Sequence, residues 1–223
     1  MDAGWGGAPV LRGLDLDLPP GARVGLVGPS GSGKSTVAAL LVRFLDPDAG
    51  TLSLNGCELR DLATDDLRGV VTLVDDDPYV FASTLLENVR LARPDASDDD
   101  VRRALEAARL GSWVAGLPEG IDTFVGEGHA DVSGGERARL AIARALLGDH
   151  AVLVLDEPTA HLDSATAGAV AEQVLSGAGD GSGRSIVWIT HGRIGLERMD
   201  RVLRLDAGRA AADGMTISGT SGI

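Results

Sequence analysis

The sequence predicts an α/β domain with a mainly parallel sheet, and three observations carry that prediction. Short apolar runs, each bounded by Gly, Asp or Pro, alternate with helical patterns along the chain. A glycine-rich turn joins the first such run to the first helical pattern, the place where an open parallel sheet presents its strand ends to ligands. The 223 residues, 44% hydrophobic and 24% charged, suffice for one large domain with its own core and exclude a disordered or fibrous chain.

In chain order, strands are expected at Arg23–Val27, Val70–Val74, Ala151–Leu155, Ser185–Thr190 and Arg201–Leu205. A helix over Lys34–Phe44 follows the glycine turn, and one over Asp98–Ala108 opens with acids that suit a helix N-terminus. Glu136–Leu147 gathers Leu140, Ile142, Ala143 and Leu146 to one side, and Ala165–Leu175 completes the set. The Gly/Ser-rich stretch Ser176–Arg184 reads as a loop and Ala210–Ile223 as a flexible tail, leaving residues 1–209 as the domain.

Charge and cysteine content narrow the function classes. A net charge of −13 argues against bulk gripping of nucleic-acid phosphates and leaves room only for a local phosphate site. Cys57 is the only cysteine, which excludes an intramolecular disulfide and a cysteine-based zinc site. No apolar run reaches the roughly 18 to 20 residues of a membrane span, so the chain as it stands is expected in the cytoplasm. Lys34 is the single lysine among 20 Lys and Arg residues, and its retention calls for a chemical reason.

That reason lies in the run Gly28, Pro29, Ser30, Gly31, Ser32, Gly33, Lys34 and Ser35, which fits G-x-x-x-x-G-K-[ST] between a strand and a helix. Glycines let backbone N–H groups curl around an anion, the helix N-terminus adds positive potential, Lys34 reaches phosphate oxygens and the Ser35 hydroxyl suits Mg²⁺. The apolar run Val152–Leu155 ends in Asp156 and Glu157, at the same end of a parallel sheet. Alone this is an ordinary strand and turn. Beside a phosphate loop it supplies a metal-holding carboxylate, Asp156, and a base for an attacking water, Glu157. Ser133, Gly134, Gly135 and Glu136 precede a helix and form either a second anion site or a plain capping box.

With Val132–Glu136 lying shortly before the Asp156-Glu157 strand, the chain resembles the ATP-binding cassette (ABC) family over nearly its whole length. The resemblance implies the P-loop NTPase fold with an ABC-type β-subdomain and a helical subdomain at about 80–148. It implies ATP and Mg²⁺ as ligands, with nucleotide contacts from Gly28 to Thr36 and a partner's phosphates on Ser133, Gly134, Gly135 and Glu136. Thr159–Asp163 matches the loop that crosses the dimer interface, with Asp163 near the nucleotide, and His191 matches the switch histidine. His129, His150 and His161 receive no such role.

Three places depart from the family pattern. The expected glutamine after the strand at Val70–Val74 is Asp76, within Asp75-Asp76-Asp77; it becomes a third metal ligand beside Ser35 and Asp156, or the three acids form a solvated turn. The adenine-stacking aromatic falls on Trp5, closer to Val10-Leu11 than usual, the alternative being a loose N-terminal segment. Val132 replaces the leucine that opens the signature.

Phe81–Val89 and Val125–Gly128 resemble exporter-type cassettes, where these segments meet the membrane domain. The strings Leu155–Asp163, Gly126–His129 and Asp200–Leu205 resemble the CydC half of the CydDC thiol exporters. The implied partners are a second cassette, packed head to tail and of a different sequence, and a transmembrane domain; the implied location is the cytoplasmic face of the membrane. The rival readings are a soluble cassette ATPase and a weakly hydrolysing regulatory module.

Overall fold

The computed structural model describes residues 1–177 and 183–211; the centre of the expected loop and the expected tail beyond residue 211 lie outside them. The first half runs β1 (Arg23–Val27), α1 (Lys34–Leu41), β2 (Ser53–Leu54), β3 (Cys57–Glu58), α2 (Thr64–Val70), β4 (Val71–Val74), β5 (Ser83–Thr84), α3 (Leu85–Arg90), α4 (Asp98–Ala107) and α5 (Gly111–Ala115). It continues with β6 (Phe124–Val125), α6 (Gly134–Leu147), β7 (Val152–Asp156), α7 (Ser164–Gly177), β8 (Ser185–Thr190), β9 (Arg201–Asp206) and β10 (Arg209–Ala210).

Six strands form the main sheet in the order β10-β9-β1-β8-β7-β4. All neighbours are parallel except β10, which returns antiparallel along β9. The mainly parallel sheet expected from the sequence is therefore present. Ala210, which the sequence reading put at the start of a tail, pairs with Leu205 on β9.

Central strands of such a sheet are covered on both faces, which explains the unbroken apolar run of β8. Along β7 and β8, Leu153, Leu155, Ile186 and Trp188 enter one core, while Val154, Val187 and Ile189 enter the other. The first core receives α3, α4, α6 and α7 through residues such as Leu85, Leu105, Leu140 and Val170. The second receives α1 through Val37, Ala38 and Leu40. Period-two alternation in the strands thus builds both layers at once.

Where the elements differ from the sequence reading, a local interaction accounts for it. Helix α1 stops at Leu41 rather than Phe44 because Arg43 adopts a left-handed backbone, φ 54°, from which its guanidinium donates to Leu62 O and Arg60 O at 2.6 and 2.9 Å. Val70 closes α2 instead of opening β4. That helix buries only Leu67, so its periodic signal is faint. The acids opening α4 do serve its N-terminus: Ser97 accepts from Asp100 N while the Asp100 carboxylate accepts from Ser97 N. The N-terminal segment is tied down rather than loose, since Asp2 bridges to Ala49 and Ala3 to Leu11.

Leu140 is fully buried on α6, so Leu140→Ala is expected to cost about 2–5 kcal/mol, read from urea unfolding; a loss under about 1 kcal/mol would contradict this packing.

Candidate functional site

Strand register assembles the site. Val27 of β1 lies beside Thr190 of β8, Asp156 of β7 beside Ile189, and Leu155 beside Val74 of β4. The residues that follow these strand ends, Gly28, His191, Glu157 and Asp75, therefore leave the sheet along one edge.

The loop after β1 closes on itself. Ser32 N donates to Pro29 O at 3.2 Å, and Gly208 N donates to Ser32 O at 3.1 Å. Gly33 takes φ 105°, and a Cβ there would come within 2.6 Å of Leu11 Cδ2, so no other residue fits without moving the second core. Lys34 is 8% exposed, and its Nζ donates to Gly28 O and Pro29 O at 2.9 and 3.1 Å. Carbonyls are the acceptors available to the ammonium in this state, and an anion in the loop would compete for it. Ser32 Oγ is buried with no hydrogen-bond partner. An orphaned hydroxyl, a buried ammonium and the free first-turn N–H groups of α1 form a donor set that fits a polyphosphate.

At the end of β7, Asp156 is 5% exposed, and burial pushes its carboxyl up from the ordinary range. The neighbouring Ser35 hydroxyl and the Lys34 charge oppose the rise, while Glu157 and Asp75 add to it. Asp75 is itself raised, by burial first and by the adjoining Asp76 second, and its Oδ1 accepts from Asp76 N at 2.8 Å. Sequence reasoning singled out Asp76; Asp75, the first residue after β4, is the one that adds to the rise at Asp156, and both Asp75 and Asp76 are exposed. Ser35, Asp156 and Asp75 offer hard oxygen atoms of the kind Mg²⁺ takes.

Glu157 has a left-handed backbone, φ 48°, which costs of the order of 1–3 kcal/mol for a side chain of its kind. Its N–H donates to Ile189 O at 2.9 Å, which pins the turn against β8. Its carboxylate lies 2.7 Å from His191 Nδ1 and accepts from Thr190 Oγ1 at 3.3 Å. Thr190 was not singled out in the sequence; its hydroxyl also accepts from Gly192 N at 2.9 Å and so fixes the turn that carries His191. Glu157 and His191 form a hydrogen-bonded pair at the strand ends.

Ser133 and Glu136 form the capping box that the sequence allowed. Ser133 N and Oγ donate to Glu136 Oε2 at 2.8 and 2.7 Å, and Glu136 N donates back to Ser133 Oγ at 3.3 Å. The Thr159–Asp163 turn packs directly on this helix start: a Cβ on Gly135 would lie 3.1 Å from His161 O. Asp163 caps α7, accepting from Ala165 N and Thr166 N at 3.0 Å, and the Thr166 hydroxyl first, then these N–H groups, hold its carboxyl below the usual range. Trp5 is 62% exposed, and its indole N–H reaches Thr36 Oγ1 at 3.4 Å, beside the phosphate loop.

The chain belongs to the ABC transporter family, whose pattern it matches over residues 11–160. Its fold is that of the family's ATP-binding domain, a mainly parallel sheet flanked by helices. It is 43% identical over 209 residues to the mitochondrial potassium channel ATP-binding subunit of Xenopus tropicalis, an overlap of 93% of this chain and 30% of that protein. It is 40% identical over 205 residues to the glutathione/L-cysteine transport system ATP-binding/permease protein CydD of Bacillus subtilis, covering 92% of this chain and 35% of that one. The solved structure of a bacterial Atm1-family ABC exporter with ATP bound superposes with a TM-score of 0.88 at 34% identity, over 96% of this chain and 37% of that one. The chain thus spans about a third of the length of these relatives. Proteins with different named roles match it about equally, so the CydC-type branch is one of several that it resembles.

A carboxyl whose folded pKa is raised opposes folding when charged, and the penalty is relieved as pH falls through the folded value toward the unfolded one. Asp156→Asn is accordingly expected to raise the melting temperature of the ligand-free protein at neutral pH and to remove part of its stabilisation by acid; an unchanged or lower melting temperature would show that burial does not penalise this carboxylate.

Proposed function

We propose that this chain is the ATP-binding and ATP-hydrolysing domain of an ABC exporter half-transporter. The observation that carries the reading is the meeting of the Lys34 loop, Asp156 and the Glu157–His191 pair along one sheet edge. Lys34 and the N–H groups of the loop from Gly28 to Thr36, Pro29 having none, hold the phosphates, and Trp5 covers the base. Ser35 and Asp156, with Asp75 or Asp76, hold Mg²⁺, which when bound neutralises phosphate charge. Among the described residues no set of three or more His, Cys, Asp or Glu side chains is arranged to hold a metal, and Mg²⁺ commonly takes one or two carboxylates together with substrate phosphates. Glu157 orients the attacking water and draws on its proton, while His191 steadies Glu157 through the 2.7 Å contact and meets the terminal phosphate.

In this reading the site is completed by a second, different cassette packed head to tail, whose Ser133, Gly134 and Gly135 equivalents close over the nucleotide. A transmembrane domain docks on the cytoplasmic side, against the groove of about 650 Å³ that includes Tyr79, Leu91 and Arg144. Among the described residues no helix is long and apolar enough to cross a membrane. A small thiol is the cargo that the CydC-like strings and the likeness to CydD favour.

Lys34→Ala is expected to weaken Mg-ATP binding at least about 100-fold by calorimetry, and Glu157→Gln to keep ATP while lowering turnover about 100-fold or more. Unchanged affinity in the first variant, or wild-type turnover in the second, would overturn the reading. Asp76→Gln removes a negative charge beside the triphosphate and is expected to raise turnover; unchanged kinetics would return Asp75-Asp76-Asp77 to a solvated turn.

A further inference from the structure

Arg144 lies on α6, about three turns beyond Ser133, and its guanidinium is spent entirely on the segment that follows Asp75-Asp76. Nε donates to Asn88 O at 2.8 Å, Nη1 to Tyr79 O at 2.7 Å and Nη2 to Asn88 Oδ1 at 2.8 Å. The plane also faces Phe81, 6.0 Å from the ring centroid. Asn88 is 1% exposed and relays the hold: its Oδ1 accepts from Phe81 N at 2.9 Å, and its Nδ2 donates to Phe81 O and Thr84 O, both at 3.0 Å.

Every acceptor of this cation is neutral, and the ion pair from α6 to the acid run is made by Arg137 instead, whose Nη1 lies 3.7 Å from Asp77 Oδ1 on the exposed surface. Burial alone pushes its pKa down to about 10. A half-buried guanidinium without a counter-ion is costly as mere packing, whereas its planar fork suits three fixed oxygen acceptors. The helix carrying it begins at Ser133, the loop it grips begins at the acids beside Asp156, and residues 134 to 144 of a helix form a stiff rod of about 15 Å.

We propose that Arg144 is a positioning residue that ties the loop from Asp75 to Thr84 to helix α6, so that the acids beside Asp156 and the Ser133–Gly135 helix start move as one body. This rests on the ATPase reading for its consequence in turnover, but the mechanical tie stands apart from it. Helix displacement reaches Asp75 through Arg144, Asn88 and the Phe81 backbone, the buried counterpart of the solvent-exposed Arg137–Asp77 contact at 3.7 Å.

The test compares the wild-type chain with Arg144→Met and Arg144→Lys, following amide exchange at Phe81 and steady-state ATP turnover. In the Met variant, Phe81 exchange is expected to accelerate roughly tenfold while amides of β7 and β8 keep wild-type protection. Turnover should fall about tenfold with KM for ATP within about twofold, and Arg144→Lys should restore less than half of either change, because one ammonium cannot meet three acceptors. Unchanged Phe81 exchange, acceleration spread evenly over the whole chain, or full recovery by lysine would overturn the proposal. Should Arg144→Met fail to fold, the lysine variant decides by the same two readings. A wild-type chain that neither binds Mg-ATP nor turns it over together with its partner cassette would sink the ATPase reading, while Phe81 exchange would still decide the tie.

Discussion

Parallel register is the constraint on which the site depends. Gly28, Asp75, Glu157 and His191 share no local sequence, yet each directly follows a strand whose hydrogen-bond ladder is locked to its neighbour's. A slip of one residue between β7 and β8 would turn Leu153 and Leu155 out of one core and separate Glu157 from His191. The two apolar layers that enforce the register therefore enforce the chemistry as well.

The same edge concentrates charge of one sign. Asp75, Asp156 and Glu157 lie near one buried ammonium, and burial first, with neighbouring carboxylates second, raises the two aspartates above the ordinary range. Folding is opposed at this point, and hydrophobic burial elsewhere offsets it. Such a site is poised for a cation, and a phosphate group brings its own claim on Lys34. The left-handed turn at Glu157 adds backbone strain in the same place.

Much of this was legible from residue order. The phosphate loop, the Asp156-Glu157 strand end and the Ser133 capping box are short-range patterns in which spacing alone states the geometry. The main strands were equally plain because buried parallel strands read as continuous apolar runs. What escaped depends on contacts between distant segments. Asp75 adds to the field at Asp156 because β4, which it follows, pairs with β7, a neighbourhood that no local pattern encodes. Thr190 and Arg144 look unremarkable in sequence, since the first acts through the Glu157 turn and the second through carbonyl oxygens 56 and 65 positions away. Helix α2 was missed because a single buried leucine gives no period. The end of α1 was misplaced because Arg43 stops it by reaching Arg60 and Leu62.

The resting place of Lys34 has a practical corollary. It carries the only ε-amino group in the chain, 8% exposed and bonded to two carbonyls inside the loop. Amine-directed crosslinkers or surface-coupling reagents find no other lysine, so any side-chain acylation they achieve reports on this loop alone. A reagent that enters does so when the ammonium has swung free and lost its proton, which turns an ordinary labelling reaction into a clock for how often the loop opens.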